Sequence, residues 1–201
     1  MATEHPVPDG TLSDRLADLG LRGLIGTAKL FPYETRVRGF GALVGRALGP
    51  GTRLGARIDQ NLAFVFPQMP FAERRRLGRL SADRTARLLI ENYSGRHLAA
   101  RMAGVMPAGP GLPALEAARA EGRPVLLLTG HFGNYEAARA CLIARGFAVG
   151  GLYRPMKNPF FNAHYVATME AIGGPVFPQG RSGTKGLLTF LKSGGIAMLL
   201  N

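Results

Sequence analysis

The sequence predicts an α/β fold: a mostly parallel sheet flanked by helices, preceded by an N-terminal helical region. Three observations predict it. Up to about residue 105 the apolar residues recur at helical spacing, whereas beyond residue 122 short apolar runs alternate with helical stretches. Such alternation is the pattern of a parallel sheet covered on both faces. The chain has 201 residues and is 46% hydrophobic, enough for one substantial packed core.

Each element has its own local reason. Thr11 to Lys29 reads as one helix, with Thr11 or Ser13 as its cap, and "FPYE" at 31–34 ends it. The prolines of "FPQMPF" precede a long amphipathic helix from about Phe71 to Met102. Leu77, Leu80, Leu88 and several alanines form its apolar stripe, and arginines occupy its other faces. The order predicted after that is helix 112–120, strand 124–129, helix 134–145, strand 147–153, helix 159–171, a short strand 175–177, helix 184–193 and strand 195–200. The chain stops directly after the strand-like "IAMLL" with no closing helix, so the sequence is expected to be part of a longer chain, truncated at the C-terminus. Residues 1–105 therefore read as the N-terminal helical region and 106–201 as the first part of an incomplete α/β core.

The formal net charge is +12, from 25 Lys and Arg against 13 Asp and Glu, which favours an anionic partner. From 21 to 58, Arg22, Lys29, Arg36, Arg38, Arg46, Arg53 and Arg57 face only Glu34 and alternate with apolar residues. That reads as a basic amphipathic segment at an anionic membrane surface, with a solvated helix packed on the domain as the alternative. No run reaches the length of a membrane-spanning helix. The start "MATEHPVPDGTLSDRL" lacks the basic and apolar regions of a secretory signal, so the cytoplasmic side is expected. Cys141 is the only cysteine and reads as a small buried hydrophobe.

In such sheets ligands sit at the carboxyl ends of the strands. "TGHFGNYE" at 129–136 falls at one such end and "YRPMKNP" at 153–159 at the next. Gly130 and Gly133 flank His131 and admit a substrate close to the backbone; Asn134 is a good cap for the following helix. The turn thus sets an imidazole beside the positive end of a helix. Glu136, in the first helical turn, either compensates the helix dipole or accepts from a ring nitrogen of His131 and steadies the imidazolium. The motif supplies no hydroxyl or thiol nucleophile. This points to attack by a substrate hydroxyl, with His131 as general base and no covalent acyl-enzyme. Metal chemistry is not expected, since no HExxH or CxxC pairing exists among His5, His97, His131, His164 and the lone cysteine. Arg154 and Lys157 are candidate phosphate contacts at the second strand end. In "PQGRSGTKG" at 178–186, Arg181 and Lys185 are secondary candidates beside a plain turn and helix start. The spacing there is not that of a P-loop.

"HFGNYE" is an H-x4-E motif. With "LLLTGHFGNYEAA" it resembles the lysophospholipid acyltransferase superfamily, specifically the lipid A biosynthesis late acyltransferases. Three further stretches in the right order strengthen the resemblance: "RIDQNLAFVFPQMPFAERRRL", "YRPMKNPFFNAHYVATMEAIGG" and "GLLTFLKSGGIAMLL". It covers about residues 15–201. The resemblance implies a glycerolipid-acyltransferase-like fold, His131 as base and Glu136 as its acidic partner. It places the family's Tyr-Arg-Pro-x-x-Asn-Pro stretch on Tyr153, Arg154, Pro155, Asn158 and Pro159, contributing to the donor or acceptor site. It further implies acyl carrier protein as acyl donor, a phosphorylated lipid A precursor as acceptor, no cofactor, and the cytoplasmic face of a bacterial inner membrane, with peripheral or N-terminal attachment. Gly133, Asn134, Arg154, Lys157, Asn158 and Arg181 are the expected substrate contacts. In two respects the sequence departs from the family: members continue past the last strand with an Asp-Gln pair and a further α/β portion, and many begin with a membrane-spanning helix, whereas residues 21–48 are interrupted by charge. The alternatives are a glycerophospholipid or other glycolipid O-acyltransferase, and a non-catalytic basic protein binding membrane or nucleic acid. Nucleic acid is not expected, because the chain lacks Trp and its aromatics do not interleave with cations.

Overall fold

The computed structural model describes residues 10–48 and 51–200. They divide into two compact units, one within residues 22–94 and the other formed by residues 95–200 together with 10–21. Helix α1 (Leu12–Lys29) runs across the boundary between them. It begins as expected, with Thr11 Oγ1 accepting from Asp14 N–H at 3.2 Å.

The larger unit is built on four strands, β1 (Val125–Thr129), β2 (Val149–Tyr153), β3 (Val176–Pro178) and β4 (Ile196–Leu200), all parallel and ordered β1-β4-β2-β3. The predicted alternation holds: α7 (Tyr135–Ala144), α8 (Pro159–Ile172) and α9 (Arg181–Lys192) connect them, after α5 (Gly95–Ala103) and α6 (Leu112–Ala120). Leu142, Phe147, Val149, Ile196 and Met198 form the core, with Leu115, Val125, Leu127 and Ile143 packed against it. A second cluster of Leu98, Ala140 and Ile172 joins α5, α7 and α8. Two adjacent glycines in β2 run against strand propensity, and packing explains one of them. A Cβ on Gly150 would lie 2.9 Å from the Phe190 ring and 3.1 Å from that of Phe177, so its absence admits the aromatic pair that seats α9.

In two places the structure differs from expectation. The sheet was expected to be covered on both faces, but along the edge strand β1 alternate positions are only half-buried among the described residues, and Leu126 and Leu128 between them are 57% and 76% exposed. The long helix expected over 71–102 is two helices, α4 (Phe71–Asn92) and α5. Ser94 Oγ donates to the Ile90 carbonyl at 2.7 Å, and Ser94 N–H bonds Glu91 O, one residue short of the helical partner. A serine that bonds back to the preceding turn, followed by a glycine, ends the regular ladder there.

In the smaller unit, α2 (Tyr33–Leu43) continues into a π-helical turn, Val44–Leu48, and α3 (Arg53–Val65) precedes α4. Ala82, Ala86 and Ile90 give α4 a narrow buried stripe, so its partners approach closely. A Cβ on Gly45 would stand 2.8 Å from the Arg79 carbonyl oxygen, which places the π-helical turn directly on α4. Among the described residues no helix is long and apolar enough to cross a membrane.

Candidate active site

All four strands run the same way, so the turns that follow them share one edge of the sheet. β1 ends at Thr129, and His131 stands in the next turn. Gly133 has φ +53°, a left-handed conformation that L side chains adopt at a cost, and this glycine swings the chain from strand into helix. Asn134 caps α7 as expected: its Oδ1 accepts from Glu136 N–H at 3.1 Å. His131 and Phe132 are exposed, and the imidazole packs edge-on against Tyr135, with ring centroids 5.8 Å apart. Burial, followed by the neighbouring Tyr165 hydroxyl, pushes the Tyr135 phenol well above its ordinary range, so this ring stays neutral below the histidine.

Glu136 is buried, and its carboxylate is held by Arg139. Arg139 Nε and Nη2 both approach Glu136 Oε2, at 2.8 and 2.7 Å. Arg139 is itself wholly buried; Nη2 also donates to Met169 O at 2.7 Å, and Nη1 donates to Gly173 O. One guanidinium thereby ties the start of α7 to the end of α8, satisfying two carbonyls at a helix terminus that would otherwise lack partners. Among the described residues no hydrogen bond joins Glu136 to His131; the expected acidic partner is turned toward Arg139. Sequence reasoning missed Arg139. The available signal was the spacing of Glu136 and Arg139, an i,i+3 pair on one helix face.

The other expected site residues divide by role. Arg154 and Lys157 are exposed in the turn after β2, and Arg181 is exposed at the first position of α9 after Gly180. With neighbouring strands about 4.8 Å apart, the end of β2 lies roughly 10 Å from that of β1, and the end of β3 roughly 14 Å. Asn158 is engaged in the scaffold. Its Oδ1 accepts from Phe161 N–H at 3.1 Å, capping α8 ahead of Pro159, and its Nδ2 donates to Asp14 O at 2.8 Å. Asn162 does the same for the turn, with Oδ1 accepting from Met156 N–H at 2.8 Å. Cys141 is buried, as expected of a small apolar residue. Among the described residues no group of three or more His, Cys, Asp or Glu is placed to hold a metal ion.

The family model described as bacterial lipid A biosynthesis acyltransferase matches residues 16–201, nearly the whole chain. The chain belongs to that family. A curated relative, a lipid A biosynthesis acyltransferase of Haemophilus influenzae (strain ATCC 51907 / DSM 11121 / KW20 / Rd), is 24% identical over 149 residues, 72% of this chain and 45% of that protein. The match thus spans less than half of the relative's length. In this member of the family the stretches "TGHFGNYE" and "YRPMKNP" follow two parallel strands and open onto the same sheet edge.

Proposed function

We propose that this chain carries the catalytic turn of an acyltransferase that moves a fatty acyl group from the thioester of acyl carrier protein to a hydroxyl of a phosphorylated lipid A precursor. The observation that carries the reading is the exposed His131 in a turn shaped by Gly133, at the carboxyl end of a parallel strand and the capped start of α7, whose first turn holds the buried carboxylate of Glu136. His131 takes the proton of the acceptor hydroxyl as its oxygen attacks the thioester carbonyl carbon. The carbonyl oxygen becomes an oxyanion; the proposed donors to it are the turn N–H groups of Gly133 and Asn134, at the positive end of α7. When the C–S bond breaks, the departing thiolate takes the proton from the imidazolium, and the ester and free thiol leave.

Glu136 steadies the imidazolium. Both Arg139 contacts fall on Oε2, which leaves Oε1 to the ring once the exposed His131 swings inward from Tyr135. Arg154 and Lys157 are proposed to hold acceptor phosphate, and Arg181 a second phosphate farther along the edge. Asn158 acts on that site through the turn it caps. The basic surface suits an acidic carrier protein and an anionic bilayer, at the cytoplasmic face of the inner membrane. Transfer of labelled acyl chains to a lipid A precursor and to lysophosphatidate, measured side by side, tests the substrate. Acylation of the lipid A precursor alone is expected; acylation of lysophosphatidate alone would move the assignment to glycerophospholipid synthesis, and transfer to neither would overturn it.

A further inference from the structure

The smaller unit, Arg22–Ser94, carries 13 of the 25 basic residues against 5 of the 13 acidic ones, and α4 concentrates them. A groove of about 750 Å³ runs between α4 and the π-helical turn after α2. Six arginines line it, among them Arg46, Arg75, Arg79 and Arg84, against one carboxylate, Asp83. That carboxylate is already taken, since Arg87 grips both its oxygens at 2.7 and 3.2 Å. Among the described residues Arg46, Arg79 and Arg84 make no ion pair, and all three are exposed. Helical spacing makes this worse: Arg75 and Arg79 at i,i+4, and Arg76 and Arg79 at i,i+3, set like charges side by side at a cost of a few tenths of a kcal/mol each. Gly45 brings the turn onto α4 at Arg79 and Asp83, so Arg46 adds its charge from across the groove.

A second groove, of about 360 Å³, lies on the other side of the Arg75–Arg79 ridge and is mostly apolar; Phe71 and three glycines line it. The Phe71 ring is 62% exposed and carries the guanidiniums of both Arg74 and Arg75 within 6 Å of its centre. The last turn of α3 and the residue after it expose Phe64, Val65 and Phe66 by 88%, 60% and 49%. Converging uncompensated guanidiniums answer phosphate oxygens, and a run of exposed aromatic and aliphatic side chains beside them answers the acyl boundary beneath a headgroup.

We infer that the α4 groove is a binding site for the phosphate of an anionic phospholipid headgroup, with Phe71 and the preceding Phe64–Phe66 segment inserted at the bilayer interface. The site belongs to the helical unit, and the inference goes beyond the acyl-transfer reading without depending on it, because lipid binding is measured without turnover. It also moves the membrane contact expected of residues 21–58 largely onto α4.

The test is co-sedimentation of the full chain with phosphatidylcholine vesicles, with and without phosphatidylglycerol. Binding to the anionic vesicles alone is expected, weakening as salt is raised. The triple variant Arg75→Gln, Arg79→Gln, Arg84→Gln is expected to lower the binding constant roughly 100-fold, about fivefold for each charge near the surface, while its circular dichroism and melting temperature stay unchanged. A control triple, Arg38→Gln, Arg53→Gln, Arg57→Gln, removes the same charge from the same unit outside that groove. Equal loss in both triples would overturn the inference in favour of net charge alone. Undiminished binding by the first triple would overturn it outright. Release from vesicles by millimolar inorganic phosphate at constant ionic strength would overturn the lipid assignment in favour of a free phosphate site.

Discussion

Arg139 and Arg79 are both mid-helix arginines, yet the chain uses them in opposite ways. Arg139 is wholly buried, and its contacts converge on Glu136, Met169 and Gly173. Arg79 is exposed, and the carboxylate one helical turn on, Asp83, is spent on Arg87. One charge is a structural bolt beneath the histidine turn; the other makes no ion pair among the described residues. The difference shows that arginine content alone separates nothing here. What separates the two is whether an acid stands one helical turn away and whether that acid is already engaged.

Removing the bolt is the largest perturbation the comparison predicts. Arg139→Met leaves a buried carboxylate and two carbonyls without their partner, and the loss of a buried ion-pair partner typically costs about 3–5 kcal/mol. Urea unfolding should show that loss, and replacing the pair by Glu136→Leu with Arg139→Met should recover much of the stability while removing the acid proposed for His131. A single Arg139→Met protein as stable as the parent would remove the distinction between the two arginines.

Tyr135 gives a smaller, pH-dependent effect. Its pKa is raised in the folded chain, first by burial and then by Tyr165. The associated stability is therefore complete below the ordinary tyrosine value near 10 and is lost as pH climbs above it, because the unfolded chain ionises first. Melting temperatures across alkaline pH should fall more steeply for the parent than for Tyr135→Phe.

The smallest effect is expected at the groove. Arg79→Gln should change stability by no more than about 0.5 kcal/mol, and in the favourable direction, since it relieves repulsion from Arg75 and Arg76. Destabilisation by more than 1 kcal/mol would mean that Arg79, like Arg139, belongs to the scaffold.

The alternating half of the fold was legible because each run from Val125 onward is short, apolar and closed by a turn, and those elements stand within a few residues of expectation. The break at Tyr93–Ser94 was not legible: the alanine and leucine stripe continues through it, and what marks the end of the helix is the bond of the Ser94 hydroxyl to the Ile90 carbonyl one turn back, a choice open to any helical serine. At the site, the His131 turn and the Asn134 cap followed from residue types that have few other uses at a strand end. Asn158 did not, because a cap and a substrate contact call for the same amide. Arg139 was overlooked for a physical reason: burial of an arginine depends on carbonyls 30 and 34 residues away, which no local pattern records.

The central claim is that His131 is the base of an acyl transfer in which the acceptor brings the nucleophile. The most direct measurement is acyl transfer to a phosphorylated lipid A precursor by the full chain, parent against His131→Ala, with melting temperature recorded for both. The account predicts equal stability, since the imidazole is exposed, and a rate reduced on the order of 10²- to 10⁴-fold. A His131→Ala protein that transfers acyl chains at near-parental rate would contradict it.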